Sequence, residues 1–176
     1  MMKRLLITGA GGQLGRMLRG RLGQIAEIVR LSDVAEIAAP AGPHEEVVRC
    51  ALEDAEAVHD LVKDCDGIVH LGGISVEKAY DPIEDANLRG VYNLYEAARA
   101  NGKPRILFAS TNHTIGYYPQ GTQLTADMPF LPDGLYGVSK IFGEAMASLY
   151  HSKFGQETAV VRIGSCTKKP IDWRML

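Results

Sequence analysis

The chain has 176 residues, 46% of them hydrophobic, enough to bury one sizeable core but short for two full domains. Its formal net charge is -2, with basic and acidic residues interspersed, so neither nucleic acid nor an anionic membrane is expected as a partner and a small molecule is. Cys50, Cys65 and Cys166 are odd in number and widely spaced, fitting neither a disulfide framework nor a zinc pattern; they read as reduced, mostly buried thiols of a cytoplasmic protein.

The N-terminus passes from Met1, Met2, Lys3 and Arg4 straight into Leu5, Leu6 and Ile7, an apolar run too short for a signal or membrane segment. Short runs rich in β-branched residues then alternate with longer stretches of helical period. Strands are predicted at Arg4–Thr8, Glu27–Leu31, Val47–Cys50, Gly67–Leu71, Arg105–Ser110 and Thr158–Ile163, with mostly helical crossovers. That alternation predicts an α/β fold: a Rossmann-type doubly wound parallel sheet of about six strands with helices on both faces, residues 1–176 forming one domain. Ala38 to Pro43 reads as a surface loop, and nothing repeats internally. Leu88, Val91, Tyr92, Tyr95 and Ala98 line one face of a helix from about Asp85 to Ala100. Phe142, Met146, Leu149 and Tyr150 do the same on a helix from about Leu135 to Phe154; either outer face could also join a second subunit.

Thr8-Gly9-Ala10-Gly11-Gly12-Gln13-Leu14-Gly15 follows the first predicted strand and opens a helix, the context that makes a glycine pattern informative. Gly9 allows a tight turn, Gly12 a close backbone approach to a pyrophosphate, and Gly15 close helix packing, with the helix N-terminus facing the phosphates. Asp33, at the end of the second strand, is placed to accept from adenosine ribose hydroxyls and would repel a 2′-phosphate. With Val34 next instead of arginine, NAD is expected over NADP; the alternative is a capping or loop aspartate. Gly72 and Gly73 follow the fourth strand and either admit a ligand to bare backbone or form a simple turn.

Tyr136 and Lys140 are four residues apart on one helix face, and Ser110-Thr111 precedes them as a hydroxyl cluster. For Tyr136 to serve as a base near neutrality, its ordinary pKa of about 10 must fall to about 7 or 8, roughly 3 to 4 kcal/mol. One cation at about 5 Å in an effective dielectric near 20 supplies roughly 3 kcal/mol, and an oxidised nicotinamide adds a second positive charge.

Thr8-Gly9-x-x-Gly12-x-x-Gly15, the Asn87-x-x-Gly90-x-x-Asn93-Leu94-x-Glu96-Ala97-Ala98 segment, Ser110-Thr111 and Tyr136-x-x-x-Lys140 together resemble the extended short-chain dehydrogenase/reductase family over nearly the whole chain. The strings His70 to Lys78, Asn112 to Pro119 and Val161 to Thr167 are similar to those of its uronate-oxidising branch. The resemblance implies NAD-dependent oxidation of galacturonate or glucuronate at the anomeric carbon to the aldarolactone. It assigns Tyr136 as general base, Lys140 as the cation that lowers the tyrosine pKa and holds the nicotinamide ribose, and Thr111 as hydrogen-bond partner of the reacting oxygen. It adds Gln13, Leu14, Leu52, Leu71, Asn87 and Ile163 to the cofactor set. Ser75, Asn112, His113 and Ser165 become sugar-binding residues, and Arg174 a planar clamp for the uronate carboxylate.

Departures from the family carry expectations of their own. Ala51 stands where relatives carry an aspartate near the adenine amino group, implying one fewer adenine hydrogen bond, about 0.5 to 1.5 kcal/mol. Thr111 replaces a common serine but keeps the hydroxyl. The sequence ends thirteen residues after the sixth predicted strand, so the substrate-binding portion reads as truncated, with apolar surface uncovered beside that strand and self-association expected. The histidines, His44, His59, His70 and His151 among them, show no ligand spacing, and no metal is expected. Two competing readings remain: a sugar-nucleotide epimerase or dehydratase, and a non-catalytic NAD-binding protein.

Overall fold

The computed structural model describes residues 1–166. Six strands, β1 (Met2–Thr8), β2 (Ala26–Asp33), β3 (Glu45–Arg49), β4 (Gly67–His70), β5 (Arg105–Thr111) and β6 (Thr158–Ile163), form one sheet in the order β3-β2-β1-β4-β5-β6. Every pairing is parallel. The chain winds outward in one direction from β1 to β3, then returns past β1 to build β4 to β6. Thr8 is therefore level with Ser32 on one side and His70 on the other, and a crevice opens beyond the carboxyl ends where the winding reverses.

The helices are α1 (Gln13–Leu18), α2 (Ala55–Val62), α3 (Tyr80–Ile83), α4 (Gly90–Ala100) and α5 (Leu135–Phe154). The larger core cluster gathers Leu6, Ile68, Ile106 and Phe108 of the sheet with Val58 and Val62 of α2, Leu94 and Tyr95 of α4, and Met146 and Tyr150 of α5. The smaller one packs Leu5, Ile7, Val29 and Leu31 with Ala10 and Leu22. Fully burying side chains of this size stabilises by about 1.5 to 3 kcal/mol each.

Three sequence expectations are adjusted. β3 starts at Glu45, two residues before its apolar run, because the buried Glu45 carboxylate is held by Arg19 at 2.8 Å, an ion pair that hydrophobic patterning does not register. The expected Asp85–Ala100 helix starts earlier, at Tyr80, and passes through a π-helical segment, Glu84–Arg89, before α4 begins; Asn87 is the buried residue of that segment. Tyr92 and Leu149, assigned to apolar stripes, are each 51% exposed on the outer faces of α4 and α5. Leu107, Val160 and Val161 at the β6 side of the sheet are also more than one-third exposed.

α5 has the bounds expected for it, and its ends explain why. It stops at Gly155, whose φ of 70° suits glycine and turns the chain out of the helix. Midway along, Gly143 faces Phe108 of β5 so closely that a methyl group there would overlap the ring. The helix thus lies directly on the sheet, bringing its first turns over the carboxyl ends of β4 and β5.

Candidate active site

A cleft of about 860 Å³ spans the carboxyl ends of β1, β2, β4, β5 and β6. On one side, the turn after β1 is shaped by glycine. Gly9 has a φ of 70°, and a Cβ there would lie 2.6 Å from the Leu71 carbonyl carbon. At Gly15 a Cβ would stand 2.5 Å from Ala10 Cα, so only glycine lets α1 pack onto the turn. Gly12 precedes α1 and lines the cleft with Gln13, Leu14 and Gly15. Asp33 closes this side: one carboxylate oxygen accepts from Gly11 N–H and the other from Ala35 N–H, both at 2.9 Å.

The turn after β4 forms the opposite wall. Gly72 donates its N–H to Thr8 Oγ1 at 3.1 Å, and Thr8 Oγ1 lies 2.7 Å from His70 Nδ1. His70 is fully buried and stacked on Phe108, and burial, aided by the charge of Lys140, lowers its pKa to about 3. It is therefore a neutral strut between β1 and β4. Leu52, Leu71, Gly72, Gly73 and Ile163 all line the cleft. Asn87 is not among these lining residues. It is 2% exposed, accepts from Ile74 N–H at 2.7 Å, and donates to Ile74 O and Ser139 Oγ at 2.9 Å each, so both ends of its amide are engaged.

Thr111, at the end of β5, and Tyr136 and Lys140, in the first turns of α5, meet at the centre of the cleft. The electrostatics differ from the sequence expectation. Burial raises the Tyr136 phenol above its ordinary value, and a hydrogen bond with Thr111 only partly opposes this. Lys140 is 5% exposed, with its ammonium 5.8 Å from the Tyr136 ring centroid and 5.2 Å from that of Phe108. Burial drops its own pKa to about 8. The protein groups alone therefore leave the phenol protonated at neutral pH, because the burial of Tyr136 disfavours its charged form.

Ser75, Asn112, His113 and Ser165 line the same cleft. Arg174, the expected carboxylate clamp, lies outside the described residues. His113 stands edge-on to Tyr136, ring centroids 5.6 Å apart, and its Nδ1 contacts both oxygens of Asp133, at 2.8 and 3.0 Å. That contact puts the Nδ1 proton toward the carboxylate and leaves Nε2 to meet a ligand.

Three contributors carried no local sequence signal. Glu53 lines the cleft two residues past Ala51. Asp133 orients His113. Glu144, one turn beyond Lys140, accepts from Ser110 Oγ at 2.5 Å and pairs with Arg162 of β6 at 2.8 Å, tying α5, β5 and β6 together beside the reactive groups. Among the described residues, no group of three or more His, Cys, Asp or Glu side chains could hold a metal, and no helix is long and apolar enough to cross a membrane.

The uronate dehydrogenase of Agrobacterium fabrum is 65% identical over 175 residues, covering 99% of this chain and 66% of that protein. A crystal structure of uronate dehydrogenase from Agrobacterium tumefaciens, a mutant complexed with NAD, superposes with a TM-score of 0.96 at 63% identity, covering 99% of this chain and 66% of that one. The glucuronic acid dehydrogenase structure from Chromohalobacter salexigens gives 0.95 at 59% identity, with 99% and 65% covered. The chain spans 63 to 66% of the length of the uronate dehydrogenases it matches. The model of the NAD dependent epimerase/dehydratase family matches residues 5–166, taking in the glycine turn, the cleft and the Tyr136–Lys140 pair, and the chain belongs to that family.

Proposed function

We propose that this chain is the dehydrogenase part of an NAD-dependent uronate dehydrogenase, oxidising galacturonate or glucuronate at the anomeric carbon to the aldarolactone. The observation that carries the reading is the meeting of Thr111, Tyr136 and Lys140 in a cleft whose other wall is a glycine cradle, in a chain 65% identical to a uronate dehydrogenase.

The cleft suits a dinucleotide. Gly9 and Gly15 let the turn and α1 pack closely, Gly12 offers bare backbone where phosphates would approach the start of α1, and the charge of Asp33 favours free ribose hydroxyls over a 2′-phosphate. Gln13, Leu14, Leu52, Leu71, Gly72, Gly73 and Ile163 would complete that wall. When bound, oxidised nicotinamide supplies the hydride acceptor and a positive charge. Tyr136 takes the proton of the anomeric hydroxyl, Thr111 holds the same oxygen, and Lys140 stabilises the tyrosinate. Because burial raises the phenol, the positive charge of the nicotinamide would work with Lys140 to favour the tyrosinate. Ser75, Asn112, His113 and Ser165 would bind sugar hydroxyls or carboxylate, with Arg174 as the clamp. Residues 1–176 act as one domain in this reading, in a cytoplasmic protein that associates with itself through the outer faces of α4 and α5, where Tyr92, Val138 and Leu149 are about half exposed.

The test is to mix the purified chain with NAD and galacturonate, then glucuronate, and follow NADH absorbance beside a UDP-sugar control. Uronate-dependent NADH formation is expected. NADH formed only with the UDP-sugar would replace the reading with a sugar-nucleotide enzyme, and bound NAD without turnover on any sugar would reduce the chain to a cofactor-binding fragment.

A further inference from the structure

α5 carries both Tyr136 and Lys140, yet its N-cap residue is Gly134, which has no side chain to accept the free N–H groups of the first turn. The acceptor comes from elsewhere. Glu77, in the loop after β4, accepts from Leu135 N–H through Oε1 at 3.0 Å and from Tyr136 N–H through Oε2 at 2.9 Å. Gly134 itself is part of the fit, because a Cβ there would collide with the Glu77 carboxylate. The same loop holds Ser75 at the cleft two residues earlier, and Asn87 fixes the preceding Ile74 on both its N–H and its carbonyl.

We propose that Glu77 is a positioning residue, clamping the loop that bears Ser75 to the first turn of α5 and so fixing Tyr136 relative to the sugar. The inference rests on the proposed uronate oxidation. A backbone cap could have been supplied locally by serine, threonine, aspartate or asparagine at position 134, which has extended dihedrals open to any residue. Supplying it from 58 residues away does what a local cap cannot: it makes one carboxylate a joint between a substrate-side loop and the reactive helix. Near-attack geometry tolerates little error, and a misplacement of about 1 Å can cost on the order of a hundredfold in rate.

The experiment compares wild type, Glu77→Ala and the double variant Glu77→Ala/Gly134→Ser. The readouts are thermal stability, uronate KM and kcat, and the backbone order of residues 75–78 by nitrogen relaxation. Glu77→Ala is expected to lower stability, loosen the loop, raise the uronate KM by on the order of tenfold and lower kcat by at least as large a factor. In the double variant the new serine caps α5, so stability returns while the loop stays loose and KM stays high. Recovery of both stability and KM would make Glu77 a simple helix cap and overturn the proposal, as would an unchanged loop and KM in Glu77→Ala. If wild type forms no NADH with either uronate, the functional reading fails, and loop order alone then decides for or against the clamp.

Discussion

Asn87 Nδ2 donates to Ser139 Oγ at 2.9 Å, joining two residues 52 positions apart, and Ser139 in turn donates to Tyr136 O at 2.7 Å. The π-helical segment, the loop after β4 and the first turns of α5 are thereby one hydrogen-bonded unit. Asn87→Leu leaves the Ile74 N–H, the Ile74 carbonyl and Ser139 short of a buried partner. A loss of about 1 to 3 kcal/mol is expected for each group left unpaired, and chemical denaturation measures it. An unchanged midpoint would show that water replaces the amide.

Tyr136→Phe should abolish turnover while keeping the fold, since the ring still fills its place and only the phenolic oxygen is lost. Thermal melting and NADH formation measured on one preparation separate the two effects. Turnover at the wild-type level would rule out Tyr136 as the base.

Lys140→Met should move stability and activity in opposite directions. In the folded protein the ammonium releases its proton near pH 8, against 10.5 unperturbed. The unfolded chain binds the extra proton between those values, so stability rises with pH across that window, and below pH 8 the buried charge costs on the order of 3 kcal/mol. Methionine removes the cost. A gain of about 1 to 3 kcal/mol at pH 7, with turnover lost, is expected from denaturation and NADH assays.

His70 gives a second pH signature. Its folded pKa of about 3 lies below the unperturbed 6.5, so its contribution to stability is complete above pH 6.5 and is lost as pH falls toward 3, by about 1.4 kcal/mol per pH unit. Between pH 5 and 6.5 the ion-paired Glu45 and Glu46, whose pKa values are lowered from 4.5, stay charged in the folded protein and add little to the slope except near pH 5, where the unfolded chain begins to protonate them. A stability profile over that interval should flatten in His70→Asn; the same slope in both proteins would assign it to another group.

Gly15→Val tests the cradle. Its side chain would force α1 away from Ala10 and Gly9, and calorimetric NAD affinity is expected to fall by at least about tenfold, or 1.4 kcal/mol.

The strands were legible because β-branched runs are local, and so was the Tyr136–Lys140 spacing, which a helix converts directly into proximity. Glu45 escaped because its burial depends on Arg19 of a different element. Asn87 carried a cofactor assignment by motif position, but its side chain is spent on Ile74 and Ser139. Asp133, Glu77 and Glu144 matter through partners 18 to 59 residues distant, which only the folded chain brings together. For Tyr136 the sequence showed a cation one helical turn away but not the burial of the phenol itself, which raises its pKa.

Gly143 bears on this same balance. Because it has no side chain, the Phe108 ring reaches α5 and forms an apolar floor under the Lys140 ammonium. One absent methyl group thus sets both the height of the reactive pair above the sheet and the dryness around its cation. An alanine there would act as a wedge between Phe108 and α5, displacing the helix that carries both Tyr136 and Lys140.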